Sequence, residues 1–278
     1  MDYGLIQIPE SEYNRITAVR SSALKALKKS PAHCRWAETH IDEDKTPALK
    51  MGELVHCKLF LPDKYLQRYC FVDIKRKTNA GKEQIAELEL EYGAGNVLTP
   101  VHDQQVSQVV DGCWRNKAVR SILESLEGTE TTAIWQDSTT KMDCKARYDG
   151  WNKQINAIVD LKTTIDASKF GFSRAINNYD YALSAVHYIQ GAQALDIFDD
   201  EIKFIFIAVE KEAPFCSAVY LLDDQALMAG KLLHESLMNK YAECVLKDEW
   251  AGYSDKIESI SLPEYGIRRI ENEYNSEY

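Results

Sequence analysis

Grouped cysteines, long apolar runs, internal repeats and a surplus of positive charge are all absent from this chain of 278 residues. Its seven cysteines, at positions 34, 57, 70, 113, 144, 216 and 244, are odd in number and scattered, with no C-x-x-C pair. That excludes a disulfide framework and a thiolate zinc site, and reduced, mostly buried thiols are expected. No stretch approaches the roughly 20 apolar residues that span a bilayer, so no membrane association is expected. The polar start MDYGLIQIPE carries no signal-peptide pattern, and a cytoplasmic protein is expected. No repeat or linker divides the chain, which reads as one domain with a mostly helical part at 1–128, an α/β core at 129–248 and an acidic tail at 249–278. Lysine and arginine number 33 against 43 acidic residues, a net charge of −10. This counts against a protein that coats nucleic acid by bulk electrostatics, but not against an enzyme gripping it in a local basic channel.

What is present falls into two halves. Residues 1–20 have no clear period and are expected along the surface. SSALKALKKSPAHCRW reads as a helix capped by Ser21 or Ser22, with Pro31 ending it or opening the next. Its Lys25, Lys28, Lys29, His33 and Arg35 form a basic patch, either a solvated face or one that meets phosphate. Pro47 to Phe60 reads as a helix with an apolar face, on which Gly52 marks a close approach of another backbone. His56 on that helix, taken alone, is a hydrogen-bonded core histidine. The loop from Asp73 to Glu83 carries Arg76, Lys77 and Lys82, which suit DNA-backbone contacts as well as a plain surface loop. Helices are expected from Lys82 to Tyr92, Val101 to Trp114 and Ala118 to Leu126.

From Thr129 the period shortens to two. TETTAIWQD, KMDCKARYD and QINAIVDLK read as successive strands, the last two paired through GWNK. Helices follow at 166–178, capped by Asp166, and at 181–197. EIKFIFIAVE is a strand buried on both faces, APFCSAVYLL its hairpin partner, and Asp223 caps a long helix to about Lys247. The expected fold is α/β: a mixed central sheet flanked by helices, with a helical N-terminal elaboration.

The chemistry gathers at Asp149–Lys162. Asp160 and Lys162 alternate with Leu161 on one strand and therefore share a face. Strand pairing would bring Asp149 close to Asp160. Two carboxylates, joined by the Leu161 carbonyl, suit hard cations, Mg²⁺ with Mn²⁺ able to substitute and two ions per site expected. Lys162 would orient a water or hold charge that accumulates on a phosphorus species, which is the chemistry of phosphodiester hydrolysis.

D-(x)₁₀-D-x-K on consecutive strands, followed by a helix, resembles the PD-(D/E)xK nuclease superfamily with its restriction-endonuclease-like core. G-E-L-V-H (Gly52 to His56), C-K-A-R-Y-D (Cys144 to Asp149), V-D-L-K-T (Val159 to Thr163), S-x-L-K-x-L-x-x-S-P (Ser22 to Pro31) and T-N-A-G-K (Thr78 to Lys82) are similar to the RecB-like branch, and within it to phage-type RecE exonucleases (exodeoxyribonuclease VIII). The resemblance covers roughly residues 20–245. It implies that His56, Asp149 and Asp160 bind metal and that Lys162 is catalytic. It implies a 5′→3′ exonuclease on linear double-stranded DNA in recombination or repair, in a bacterial or phage-infected cell. A ring-shaped trimer or tetramer and a single-strand-annealing partner are implied too.

Two positions depart from the pattern. The family's Q-x-x-x-Y is met by Tyr188, but Ser184 stands at the glutamine position, with Gln190 as a substitute on a neighbouring face. Tyr148 replaces the proline before Asp149. Three alternatives remain. An iron–sulfur nuclease, of the CRISPR-associated or helicase-linked kind, needs four grouped cysteines that are missing here. A nuclease-fold protein that binds DNA or a partner with little or no activity is compatible with Ser184 and the acidic charge. In a metal-free ligand-binding domain, D-x-K would be an accident.

Overall fold

The computed structural model describes residues 1–40, 46–199 and 201–275; the last residues of the acidic tail lie outside this description. The chain opens with strand β1 (Gly4–Ile6) and helices α1 (Glu10–Arg15), α2 (Ser21–Lys29), α3 (Pro31–Thr39), α4 (Pro47–Phe60) and α5 (Pro62–Arg68). Next come β2 (Cys70–Phe71), α6 (Asn79–Tyr92), β3 (Val97–Leu98), α7 (Pro100–Arg115) and α8 (Lys117–Ser125). The second half runs β4 (Gly128–Gln136), β5 (Asp143–Asn152), β6 (Ala157–Thr164), α9 (Lys169–Asn178), α10 (Tyr181–Ala194), β7 (Lys203–Glu210), β8 (Ser217–Leu221), α11 (Asp224–Lys247) and α12 (Glu264–Asn275).

Six strands form one mixed sheet in the order β1-β4-β5-β6-β7-β8. Only β6 and β7 run parallel, and α9 and α10 supply the long crossover that a parallel pair requires. The sheet is covered on both faces. Ile158 on β6, and Phe204 and Phe206 on β7, pack with Leu24, Leu183 and Leu237 of α2, α10 and α11. Val159, Leu161, Ile207 and Val209 turn the other way, onto Leu54, Val106 and Val119 of α4, α7 and α8. The two-residue alternation expected of a strand buried on both sides is thus met. Among the described residues no helix is long and apolar enough to cross a membrane.

Several local expectations need correcting. The first residues are not only surface chain, because Gly4–Ile6 pair with β4 as an edge strand. Arg20, not a serine, precedes α2, and both serines lie inside its first turn. The basic patch does not present one phosphate-facing surface: Lys28 pairs with Asp180 at 2.8 Å, and Lys25 places its ammonium 5.2 Å from the Tyr181 ring. GWNK is not the turn, since β5 runs on to Asn152 and residues 153–156 make the bend. Ser168 caps α9, while Asp166 accepts the Ser168 amide one turn earlier. At Gly52 the close neighbour is a side chain: an added Cβ would stand 3.3 Å from Thr163 Oγ1.

Candidate active site

The β5–β6 ladder is short. It pairs Gly150, Trp151 and Asn152 with Val159, Ile158 and Ala157, and then the strands part. Past that point Leu161 keeps its pairing with Ile207 of β7 but has no strand partner on the β5 side. A buried backbone group needs a partner, and side chains take over. Asp149 Oδ2 accepts the Leu161 amide at 2.7 Å, and His56 Nε2 lies 2.9 Å from the Leu161 carbonyl oxygen.

Those contacts fix the proton inventory. The Leu161 oxygen can only accept, so His56 Nε2 carries the hydrogen. Burial lowers the His56 pKa and keeps the ring neutral, so Nδ1 presents a bare lone pair. That atom stands 3.4 Å from Asp149 Oδ2, which is also an acceptor. Glu130 joins them: ligand atoms of His56, Glu130 and Asp149 all lie within 4.8 Å of one another. Burial and then the Asp149 charge raise the Glu130 pKa; burial and then Asp160 push Asp149 far above the usual carboxylate range. Each shift reports the same want of positive charge. Lone pairs that face one another need a proton or a cation between them, and a cluster whose carboxylates hold their protons this tightly fits a bound cation that would displace them.

Glu130 owes its place to β4. It lies in register opposite Asp149, between the pairs Thr129–Gly150 and Thr131–Tyr148. Its φ of 48° is left-handed, a strain of about 1–3 kcal/mol in a non-glycine residue. Arg147 Nε donates to Glu130 Oε2 at 2.7 Å.

Asp160 and Lys162 share a face of β6 as expected. Lys162 Nζ is 2.5 Å from Asp160 Oδ2, though off the line of a hydrogen bond, and that buried oxygen has no hydrogen-bond partner. Burial lowers the lysine pKa, but Asp160 and Asp149 outweigh it and the net shift is upward. The ammonium also lies 5.2 Å from the Tyr181 ring.

A cleft of about 840 Å³ opens beside Lys162, with His56, Thr163, Arg174, Tyr181 and Lys211 among its walls. Behind His56 a smaller cavity of about 170 Å³ is lined by Glu130, Arg147 and Tyr13. His56, Asp149, Leu161 and Lys162 thus come together. Asp160 adjoins them but faces Lys162, and Glu130 occupies the place in the cluster that Asp160 was expected to fill.

Other expected residues go elsewhere. Tyr188 does not line the cleft; its ring packs 5.6 Å from Tyr148 and 5.9 Å from Phe204. Ser184 is buried in the helix packing. Gln190 lines a separate cavity of about 550 Å³ with Trp135 and His234, because it lies about two and a half helical turns beyond Tyr181, on the opposite face. Arg76, Lys77 and Lys82 do not line the cleft, and Arg76 donates to the Val97 carbonyl at 2.6 Å. Glu130, Tyr181, Arg174 and Lys211 were not singled out from the sequence. Tyr181 had a usable signal, since it precedes Ser184 and Tyr188 at helical spacing on one face.

Comparison with known proteins places this geometry. The family described as a PDDEXK-like domain of unknown function (DUF3799) matches residues 20–263. A crystal structure of a "Putative exonuclease" from Eubacterium rectale superposes with a TM-score of 0.55 at 12% identity, over 94% of this chain and 98% of its own. That likeness establishes the fold: the mixed six-stranded sheet flanked by helices. A second crystal structure, of SSO0001, aligns over 87% of this chain and 96% of its own at 15% identity, but its TM-score of 0.27 supports nothing further. No curated protein sequence matches the chain.

Proposed function

Because this chain belongs to the PDDEXK-like family DUF3799, within the PD-(D/E)xK superfamily, we propose that it is a divalent-metal-dependent nuclease acting on linear double-stranded DNA. The observation that carries this reading is the bare Nδ1 of His56 facing Asp149 and Glu130 beside the Lys162 ammonium. His56, Glu130 and Asp149 would hold one cation, and Asp160 with the Leu161 carbonyl would share in a second. A bound divalent cation would supply Lewis acidity toward a phosphoryl oxygen and a nucleophile at neutral pH. An imidazole nitrogen among oxygen donors suits Mn²⁺ alongside Mg²⁺.

The chain's own residues do the rest. The Leu161 amide orients Asp149, and the Leu161 carbonyl fixes the His56 tautomer. Asp160 holds Lys162, whose raised pKa keeps it protonated. Its N–H groups then meet the negative charge that builds on the phosphoryl oxygens. Arg147 orients Glu130 from behind.

The finer reading is a 5′→3′ exonuclease assembled as a ring-shaped trimer or tetramer, with a single-strand-annealing protein as partner. It is supported by the order of the RecE-like motifs, and the name given to the Eubacterium rectale structure supports exonuclease action alone. A DNA-binding protein without activity is favoured by one observation: Ser184, at the family's glutamine position, is buried and gives no group to the cleft. End-labelled linear duplex separates the two. We expect digestion with Mg²⁺ or Mn²⁺, none in EDTA, and none of closed circles. Intact linear duplex with either cation would favour the binding protein.

A further inference from the structure

We infer that the cleft beside Lys162 receives its strand unpaired, with Tyr179 as the platform on which a terminal base stacks. The inference rests on the nuclease reading for its substrate, but its geometry stands on the cleft alone.

Tyr179 occupies the two-residue link between α9 and α10 and is 61% exposed. The link is held at both ends: the Tyr179 amide donates to the Ala175 carbonyl, and Asp180, left-handed at φ 50°, is tied to Lys28 at 2.8 Å. The backbone that carries the ring is therefore set in place before any ligand arrives. It stacks on Tyr181 at 5.5 Å between centroids and 28° between planes. Tyr181 in turn lies 5.2 Å from the Lys162 ammonium. Two rings thus lead from the mouth of the cleft to the charge that would meet the scissile phosphate.

Around Tyr179 the cleft carries apolar and cationic side chains together. Ile165 and Leu49, 83% and 60% exposed, line the same cleft. Arg174 and Lys211 line it too, beside the acidic Asp166 and Glu53, and Arg174 lies 5.8 Å over the Phe170 ring. Large apolar side chains gathered at one exposed place mark a binding surface. Aromatic rings interleaved with cations are the arrangement that holds single strands, the rings taking base faces and the cations taking phosphates.

Size points the same way. A cleft of about 840 Å³ falls in the range of about 300–1,000 Å³ that accepts a drug-sized ligand. It has room for a few linked nucleotides. A base lies flat on the Tyr179 ring once it has left its own stack, so an end that frays would be taken more readily. Stacking is indifferent to base identity, so ease of fraying, and not sequence, would set the preference among ends.

Duplexes carrying 2-aminopurine at the end, either blunt or with three mismatched terminal pairs, test this. In EDTA, where no cleavage occurs, the wild-type protein should quench 2-aminopurine in the frayed duplex and bind it more tightly than the blunt one. Tyr179→Ala should lose the quenching and weaken binding roughly tenfold, and Tyr179→Phe should retain both. With Mg²⁺, the same tenfold should enter as a rise in KM with little change in kcat. Equal binding of blunt and frayed ends, or quenching that survives in Tyr179→Ala, would overturn the platform while leaving the nuclease reading intact. Failure to cleave any DNA would remove the nuclease reading, and the quenching in EDTA would still decide the platform.

Discussion

His56 spends its one proton on the Leu161 carbonyl and so turns a lone pair toward Asp149. This contact gives a core-facing histidine a second role, and it makes predictions at single positions. Lys162→Ala should lower kcat by roughly 10²–10³, the cost of losing one preorganised donor to a developing anion. Calorimetric titration with Mn²⁺ should find its metal binding retained. Glu130→Gln keeps the shape and removes one charge from the cluster. It should raise the metal concentration needed for half-maximal activity about tenfold, since a unit of pKa-scale interaction is worth about 1.4 kcal/mol. An unchanged metal requirement would return Glu130 to being merely the Arg147 partner.

Helix α10 does three things along its length. Tyr181 at its start faces the cleft, His187 in its middle is fully buried, and Gln190 near its end faces the separate cavity. His187 Nε2 is 3.1 Å from the Lys145 carbonyl and must donate to it, so its Nδ1 accepts from His234 Nε2 of α11 at 3.0 Å. Burial, and for His187 the neighbouring histidine, hold their pKa values at about 3 and about 4. An unfolded imidazole titrates near 6.5. Between those values the unfolded chain binds more protons, so the pair's contribution is whole above about pH 6.5 and shrinks as pH falls toward 4. Raised carboxylates at Asp149 and Glu130 act with the opposite sign, and comparison with a variant isolates the histidines. His234→Leu should show a flatter loss of stability between pH 7 and pH 5 than the wild type, by urea unfolding at each pH. The same two helices meet closely at Gly230, where an added Cβ would lie 2.6 Å from the Ala182 carbonyl oxygen. Gly230→Ala should cost about 1–3 kcal/mol in the same assay, as overpacking against backbone does.

At the scale of the whole molecule, α12 stands apart. The family match ends at residue 263, and most of the helix that follows is exposed. A chain ending at Pro263 should keep its thermal midpoint and its cleavage rate, because no core residue is lost; calorimetry and the end-labelled assay check both. A fall of several degrees would mean that α12 contributes packing to the fold.

Element types were legible in this sequence wherever a period repeats. Pro47–Phe60 is legible to the residue because an apolar stripe sustains the helix from Pro47 on; the structure adds Thr46 as its cap. The successive strands of the core and the shared face of Asp160 and Lys162 followed from alternation, a property of the local chain. Helix caps and the β5–β6 bend slipped by a few residues, since each depends on a few competing hydrogen bonds. The site itself was half legible. Asp149, Asp160, Lys162 and His56 stand in recognisable spacings, whereas Glu130 is one acidic residue among 43 and nothing beside it marks it. Its role exists only because β4 pairs with β5 in a register that sets it opposite Asp149. Gln190 and Tyr181 exchanged places for a similar reason: spacing fixes a residue's face on its own helix, not which cavity that face meets. The sequence by itself determined the elements, their buried faces and the lysine of the site, because these follow from neighbours along the chain. Tertiary structure alone decided which acid completes the cluster and which aromatic guards the cleft, because those depend on contacts between segments far apart in sequence.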